Sequence, residues 1–218
     1  MKIQSCEFPD HLLYDLENGT WADPREEVVR IGVTNLLSWS SGAFFAVTFK
    51  GEGTTLRRGE VAGSVEGPRH FDVVRSPISG VVVATNAKLA NTPKLLNKDP
   101  YGSGWFMELR PTNKNEISLL KKLPGAEEEF ARRMAELHVR CFAEFPDYEM
   151  IEIGSDCSVV LVRLSELLAK NPTGTVVHLV SDDGTAPIEL ARWSEETGNT
   201  MVETRKEGNL FHFIMKKK

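Results

Sequence analysis

The sequence predicts an α+β chain in two parts. The first is a run of short strands that closes into a β-sandwich or barrel; the second is a two-layer α/β sandwich of order β-α-β-α-β-β. Three observations predict this. Glycine- and proline-marked turns recur between short valine-rich runs as far as Arg110. Apolar residues at helical spacing follow between Ala126 and Phe145. From Glu149 the pattern alternates strand and helix twice and closes with two strands. With 218 residues, 41% of them hydrophobic, the chain can bury two cores.

Taken in order, Leu12–Tyr14 reads as a short strand entering a turn at Glu17–Thr20, and Val28–Val33 as a second strand. Thr34 caps a helical turn over Asn35–Ser41, and Gly42 releases the chain into a buried strand, Ala43–Lys50. Gly59–Gly80 reads as a hairpin with its tip at Glu66-Gly67-Pro68-Arg69. Val81–Thr85 is a further strand, Asn91-Thr92-Pro93 opens a short helix, and Trp105–Arg110 is a strand after a glycine-rich turn. Phe130, Met134, Leu137 and Cys141 then share one helical face, and Glu127-Glu128-Glu129 suits the positive end of that helix. Pro146 stops it. The expected division is therefore residues 1–125, a connecting helix over 126–147, and residues 148–218.

In the last division Glu149–Ile153 alternates as a strand, and Gly154-Ser155-Asp156 supplies a turn and an N-cap just before Cys157. The helix runs to Lys170 with Val160, Leu164, Leu167 and Leu168 as its apolar stripe. Thr175–Val180 is a buried strand, Ser181–Gly184 a turn, and Pro187 starts a second helix that Gly198 closes. Thr200–Arg205 and Leu210–Met215 form a hairpin around Gly208.

Composition excludes several classes. A formal net charge of -5, with no basic stripe carrying interleaved aromatics, argues against nucleic-acid binding. No apolar run approaches the roughly 18–20 residues that span a bilayer, and the first ten residues do not resemble a secretory signal, so the expected location is the cytoplasm, away from membranes. Cys6, Cys141 and Cys157 have no metal-ligand spacing, and their odd number argues against a disulfide framework. Reduced thiols and no metal are expected. His138 with Cys141, and His70 with Asp72, are better read as packing and surface pairs than as a metal site or an acid–base couple.

The stretches IGVT (Ile31–Thr34), SPISG (Ser76–Gly80), NAKLANTP (Asn86–Pro93) and KDPYGSGW (Lys98–Trp105) resemble the H protein of the glycine cleavage system, over residues 10 to 125. That resemblance implies a lipoyl/biotinyl-type β-sandwich, a barrel-sandwich hybrid. Members attach lipoate to the lysine of an ESVK hairpin tip, eight residues before the proline of the SPxSG turn. Counting back from Pro77 reaches Arg69, and the corresponding residues are Glu66-Gly67-Pro68-Arg69. A guanidinium stays protonated and is a poor acyl acceptor, so lipoate is not expected. Arg69 and His70 are left as candidates for contacting a partner.

The order of elements after Glu149, the cysteine at the strand-to-helix junction and the run SDDGTAPIELARWSEETGNTMVETRKEGNLFHFIMKK (Ser181–Lys217) resemble the TusA/SirA-type sulfur carriers, over residues 149 to 217. The resemblance implies that Cys157 is the catalytic residue. It would take persulfide sulfur from a cysteine desulfurase or a rhodanese-like protein and pass it to an acceptor protein. A helix N-terminus would favour its thiolate. The family's Cys-Pro-x-Pro is replaced by Cys157-Ser158-Val159-Val160. Three readings follow: a persulfide carrier with an H-like docking scaffold, an interaction module with both sites degenerate, and an aminomethyl carrier, which Arg69 opposes.

Overall fold

Gly32 of the IGVT stretch shows why these residues stand where they do. A Cβ at Gly32 would collide with the indole of Trp21 on the neighbouring strand, and Trp21 is itself buried, donating its Nε1–H to the carbonyl of Pro100 at 3.1 Å. The computed structural model describes residues 1–218 and divides into two compact units, Met1–Cys141 and Phe142–Lys218.

The first unit contains the strands β1 (Lys2–Ile3), β2 (Cys6–Glu7), β3 (Leu13–Asp15), β4 (Thr20–Pro24) and β5 (Val29–Val33), then helix α1 (Asn35–Ser41). Strands β6 (Ala46–Phe49), β7 (Thr55–Leu56), β8 (Val61–Glu66), β9 (Phe71–Arg75) and β10 (Gly80–Thr85) follow. Short helices α2 (Lys88–Asn91) and α3 (Leu95–Lys98), strands β11 (Met107–Pro111) and β12 (Lys121–Lys122), and helix α4 (Glu127–Glu136) complete it. The main sheet has the order β12-β3-β4-β5-β11-β10-β7, and a second sheet the order β6-β8-β9. Ile31, Val33, Ala62, Val65, Val74 and Phe106 belong to one fully buried cluster that joins the two sheets. This is the expected sandwich, with strands that the pattern does not show: the two-residue strands β1, β2, β7 and β12, and β4. Of β4 only Thr20 is placed by the pattern, in a turn, yet Thr20–Pro24 pairs with both β3 and β5.

A separate cluster lies under α4. Phe130 and Met134 are fully buried there, and Phe130 packs edge-on against Phe8 (4.8 Å between ring centroids) and Tyr14 (5.1 Å). The helix is shorter than its periodicity predicts. It ends at Glu136, and His138 has φ +51, a left-handed turn that sends Val139–Cys141 back along the unit. That return reveals an error in the cysteine reading. Cys6 and Cys141 form a disulfide, Cα–Cα 5.0 Å, although 135 residues separate them, and Cys157 is the free cysteine. An odd count excludes pairing of all three, not of two.

The second unit consists of β13 (Tyr148–Glu152), α5 (Cys157–Ala169), β14 (Val176–Ser181), α6 (Ala186–Thr197), β15 (Thr200–Glu207) and β16 (Leu210–Lys216). The sheet order is β13-β14-β16-β15, with β13 parallel to β14 and β16 antiparallel to both its neighbours. Consequently β13, β14 and β15 run one way, and α5 and α6 both begin at the same end of the sheet. Val160, Leu164 and Leu168 of α5 and Leu190 and Trp193 of α6 pack on Val177, Leu179, Phe213 and Met215. On the opposite face His178 Nε2 lies 3.0 Å from His212 Nδ1, and the ring of Phe142 packs over both imidazoles.

Two measurements check this packing. Phe130→Ala should destabilise the chain by about 3–5 kcal/mol in chemical denaturation, the usual result of emptying a buried aromatic site. Alkylation of the denatured, unreduced chain should label Cys157 alone, and prior reduction should add Cys6 and Cys141.

Candidate functional site

Cys157 is the first residue of α5 and is 8% exposed. The chain reaches it from β13 through Gly154, whose φ of +70 suits only glycine without strain and whose N–H donates to Asp182 Oδ1 at 2.8 Å. Ser155 Oγ bonds Glu152 Oε2 at 3.0 Å, and Arg163 pairs with the same carboxylate at 2.7 Å, so the loop is held on both sides. Asp156 occupies the N-cap position with extended backbone, but its side chain makes no capping bond. The carboxylate facing the helix start is Asp183, from the turn after β14. It accepts the backbone N–H and the hydroxyl of Thr185, each at 2.8 Å. These bonds hold the Asp183 carboxyl below its ordinary pKa.

The electrostatics at the thiol follow from that arrangement. Burial pushes the Cys157 thiol above its ordinary pKa, and the charges of Asp183 and Glu189 add to the rise. The sequence led us to expect a thiolate favoured by the helix N-terminus. Instead the sulfur is largely buried, and the charges of two acids, Asp183 and Glu189, oppose its ionisation. Asp183 and Glu189 were not singled out in the sequence, where Asp182-Asp183 reads only as turn residues. The available signal was that β14 runs parallel to β13, which brings the turn after one to the loop after the other.

The tip of the β8–β9 hairpin is built differently. Gly67 N–H donates to the His70 carbonyl at 3.0 Å, closing the turn. Gly42, with φ +80, lies so close to Pro68 that a Cβ there would meet the proline ring at 2.9 Å, and Gly67 abuts the Ser41 carbonyl in the same way. Arg69 points its guanidinium at the last turn of α1, with Nη1 donating to the carbonyls of Trp39 (3.0 Å) and Ser40 (3.5 Å). Its own N–H reaches the Ser41 carbonyl at 3.4 Å. A cation at carbonyls that end a helix is electrostatically favoured. Asp72 accepts the Ser41 hydroxyl at 2.5 Å, and His70 is exposed at the tip. Arg69 and His70 thus share the tip, while Cys157 belongs to the other unit.

Elsewhere a groove of ≈ 410 Å³ lies at the C-terminal ends of α5 and α6, lined by Ser165, Leu168, Trp193 and Lys217 among others. Its polar groups bond within the chain: Trp193 Nε1 donates to Ser165 Oγ and Lys217 Nζ to the Asn171 carbonyl. No group of three or more His, Cys, Asp or Glu side chains is placed to hold a metal ion, and no helix is long and apolar enough to cross a membrane.

Residues 12–133 match the family model for the glycine cleavage H-protein, more than half of the chain. The chain belongs to the glycine cleavage H-protein family. Similar H proteins include one from Sulfurisphaera tokodaii, named a probable glycine cleavage system H protein 2. It is 31% identical over 121 residues, which is 54% of this chain and 82% of that protein. One from Haloarcula marismortui, a probable glycine cleavage system H protein, is 36% identical over 112 residues, 51% of this chain and 87% of that protein. The crystal structure of a glycine cleavage system H protein from Mycobacterium marinum superposes with a TM-score of 0.50 at 25% identity, covering 59% of this chain and 99% of that one. Beyond the H-protein part, residues 152–217 match the model for sulfurtransferase TusA.

Removing the Asp183 charge removes one of the effects that keep the thiol protonated. In Asp183→Asn, the rate of Cys157 alkylation by iodoacetamide should rise at lower pH than in the wild type, and an unmoved profile would contradict the assignment.

Proposed function

We propose that the protein is a cytoplasmic persulfide carrier that uses Cys157, with its H-protein-like unit serving as a docking scaffold without lipoate. The observation that carries this reading is that Cys157, the free cysteine, begins the helix at the strand-to-helix junction of the segment matched by TusA. The Cys157 thiolate would attack the outer sulfur of a persulfide on a cysteine desulfurase or rhodanese-like donor. A new S–S bond forms at Cys157, the donor's S–S bond breaks, and the donor departs as a thiolate. Attack by an acceptor's nucleophile on the outer sulfur of Cys157 then returns the Cys157 thiolate. The Cys6–Cys141 disulfide plays no part in these steps; both its cysteines are buried.

The hairpin supports the absence of lipoate. Val61–Arg75 contains no lysine, and the side chain at the attachment position is an arginine whose guanidinium is hydrogen-bonded to α1. The residues present do not fit covalent lipoate, and an aminomethyl-carrying role through that group is correspondingly disfavoured. One observation favours a second reading, an interaction module without sulfur chemistry: Cys157 is largely buried and its thiol is raised in pKa.

Incubation with a cysteine desulfurase and cysteine, followed by thiol-labelling mass spectrometry, separates the two readings. The carrier reading predicts persulfide on the wild type and none on Cys157→Ala; equal labelling of both ends it. For the hairpin, a lipoate–protein ligase should leave the wild type unmodified. It should add about 188 Da to Arg69→Lys, whose amine can form the amide that a guanidinium cannot.

A further inference from the structure

The helical layer of the second unit is not uniformly polar. On α5 the large apolar side chains that face solvent are Val159 (44% exposed) and Val162 (58%), both in its first two turns, and beyond them the exposed surface is Arg163, Ser165, Glu166 and Ala169. On α6 the exposed apolar residue is Ile188 (68%), in the first turn, and it gives way to Arg192, Glu195 and Glu196. Because the two helices start at the same end of the sheet, these residues gather there, together with Ile153 (50%) from the loop before α5. On β13 Tyr148 and Ile151 are exposed as well, but within the helical layer the solvent-facing apolar side chains stand at one end, which marks an interaction surface rather than the ordinary scatter of single residues.

Acids predominate among the charges at the same end. Asp156, Asp182, Asp183 and Glu189 belong to it, Arg163 is paired with Glu152, and Arg192 stands one turn further along α6. Lys206, in register with Phe211 and Ser181, adds one cation, its Nζ over the Phe211 ring. Apolar contacts give such a face its adhesion, and the acids select what may approach it. We propose that the end of the second unit around Cys157 docks a protein surface that presents a cationic side chain among apolar ones. The proposal rests on the persulfide-carrier reading and names the kind of partner that reading requires. It also gives the acids a task. A cation brought against Asp183 and Glu189 offsets the negative charge that opposes ionisation of Cys157, so the thiol gives up its proton to solvent when the partner is in place. In the undocked chain the sulfur stays protonated and buried, which protects it from indiscriminate reaction.

Two sulfur sources separate docking from chemistry: inorganic polysulfide, which needs no protein contact, and a cysteine desulfurase with cysteine. The quantity to measure is the ratio of the desulfurase-driven to the polysulfide-driven rate of persulfide formation at Cys157. The docking face predicts that Val162→Ser with Ile188→Ser lowers this ratio at least 10-fold, and that rising salt lowers it for the wild type. An unchanged ratio in that variant overturns the docking face and leaves the carrier reading intact. Loading by polysulfide but not by the desulfurase also contradicts the face. If neither source loads Cys157, the carrier reading itself fails, and the proposal with it.

Discussion

The hydrogen bond from the Gly154 N–H to Asp182 Oδ1, at 2.8 Å, ties together the two loops on which the second unit's chemistry depends. It joins the loop before α5 to the turn between β14 and α6. The neighbouring Asp183 carboxylate is fixed by Thr185 at the entrance to α6. Parallel pairing of β13 with β14 makes this geometry available, since the chain leaves both strands at one end of the sheet. This placement has an electrostatic consequence: the start of α5, which would favour an anionic sulfur, is opposed by the negative charge of Asp183. The thiol therefore rests in its neutral form, and any sulfur chemistry must begin by changing that balance.

The first unit applies the same logic with opposite sign. There the carbonyls ending α1 meet the guanidinium of Arg69, from the hairpin tip that in H proteins carries the modified lysine. Gly42 and Gly67 allow the tip and the helix end to come together without a Cβ between them. A lysine amine on a swinging arm must be free to leave its hairpin, whereas this arginine forms part of the contact that holds the hairpin down. In the first unit a charged side chain satisfies a helix terminus, and in the second a charged side chain acts on the residue that begins a helix. What distinguishes them is that Cys157 remains a nucleophile once its surroundings change, and Arg69 does not become an acyl acceptor.

Much of this could be read from residue patterns, and the exceptions have a common cause. Turn glycines and valine-rich runs locate most strands of the sandwich, and Val160, Leu164 and Leu168 announce the buried stripe of α5. These are local signals. Thr20–Pro24 escaped because Thr20 closes a turn and Asp23-Pro24 are poor strand formers, and only pairing on both sides makes it a strand. The periodicity of Phe130 and Met134 continues through Leu137 and Cys141, but His138 turns left-handed and Cys141 meets Cys6 across the unit instead. Asp183 escaped for a like reason: its effect on Cys157 arises from a strand pairing 29 residues apart in register, Glu152 opposite Ser181, and not from proximity along the chain. Arg69 was placed correctly at the tip, yet nothing in the sequence indicated that it would reach the α1 carbonyls.

The most direct test of the account is a non-reducing peptide mass map of the chain after reaction with a cysteine desulfurase and isotopically labelled cysteine. Sulfur carriage by Cys157 predicts one labelled sulfur on the Cys157 peptide, with Cys6 and Cys141 recovered in the same digest as a single cross-linked species. Label on Cys6 or Cys141, or a Cys157 peptide that gains no sulfur, would contradict it.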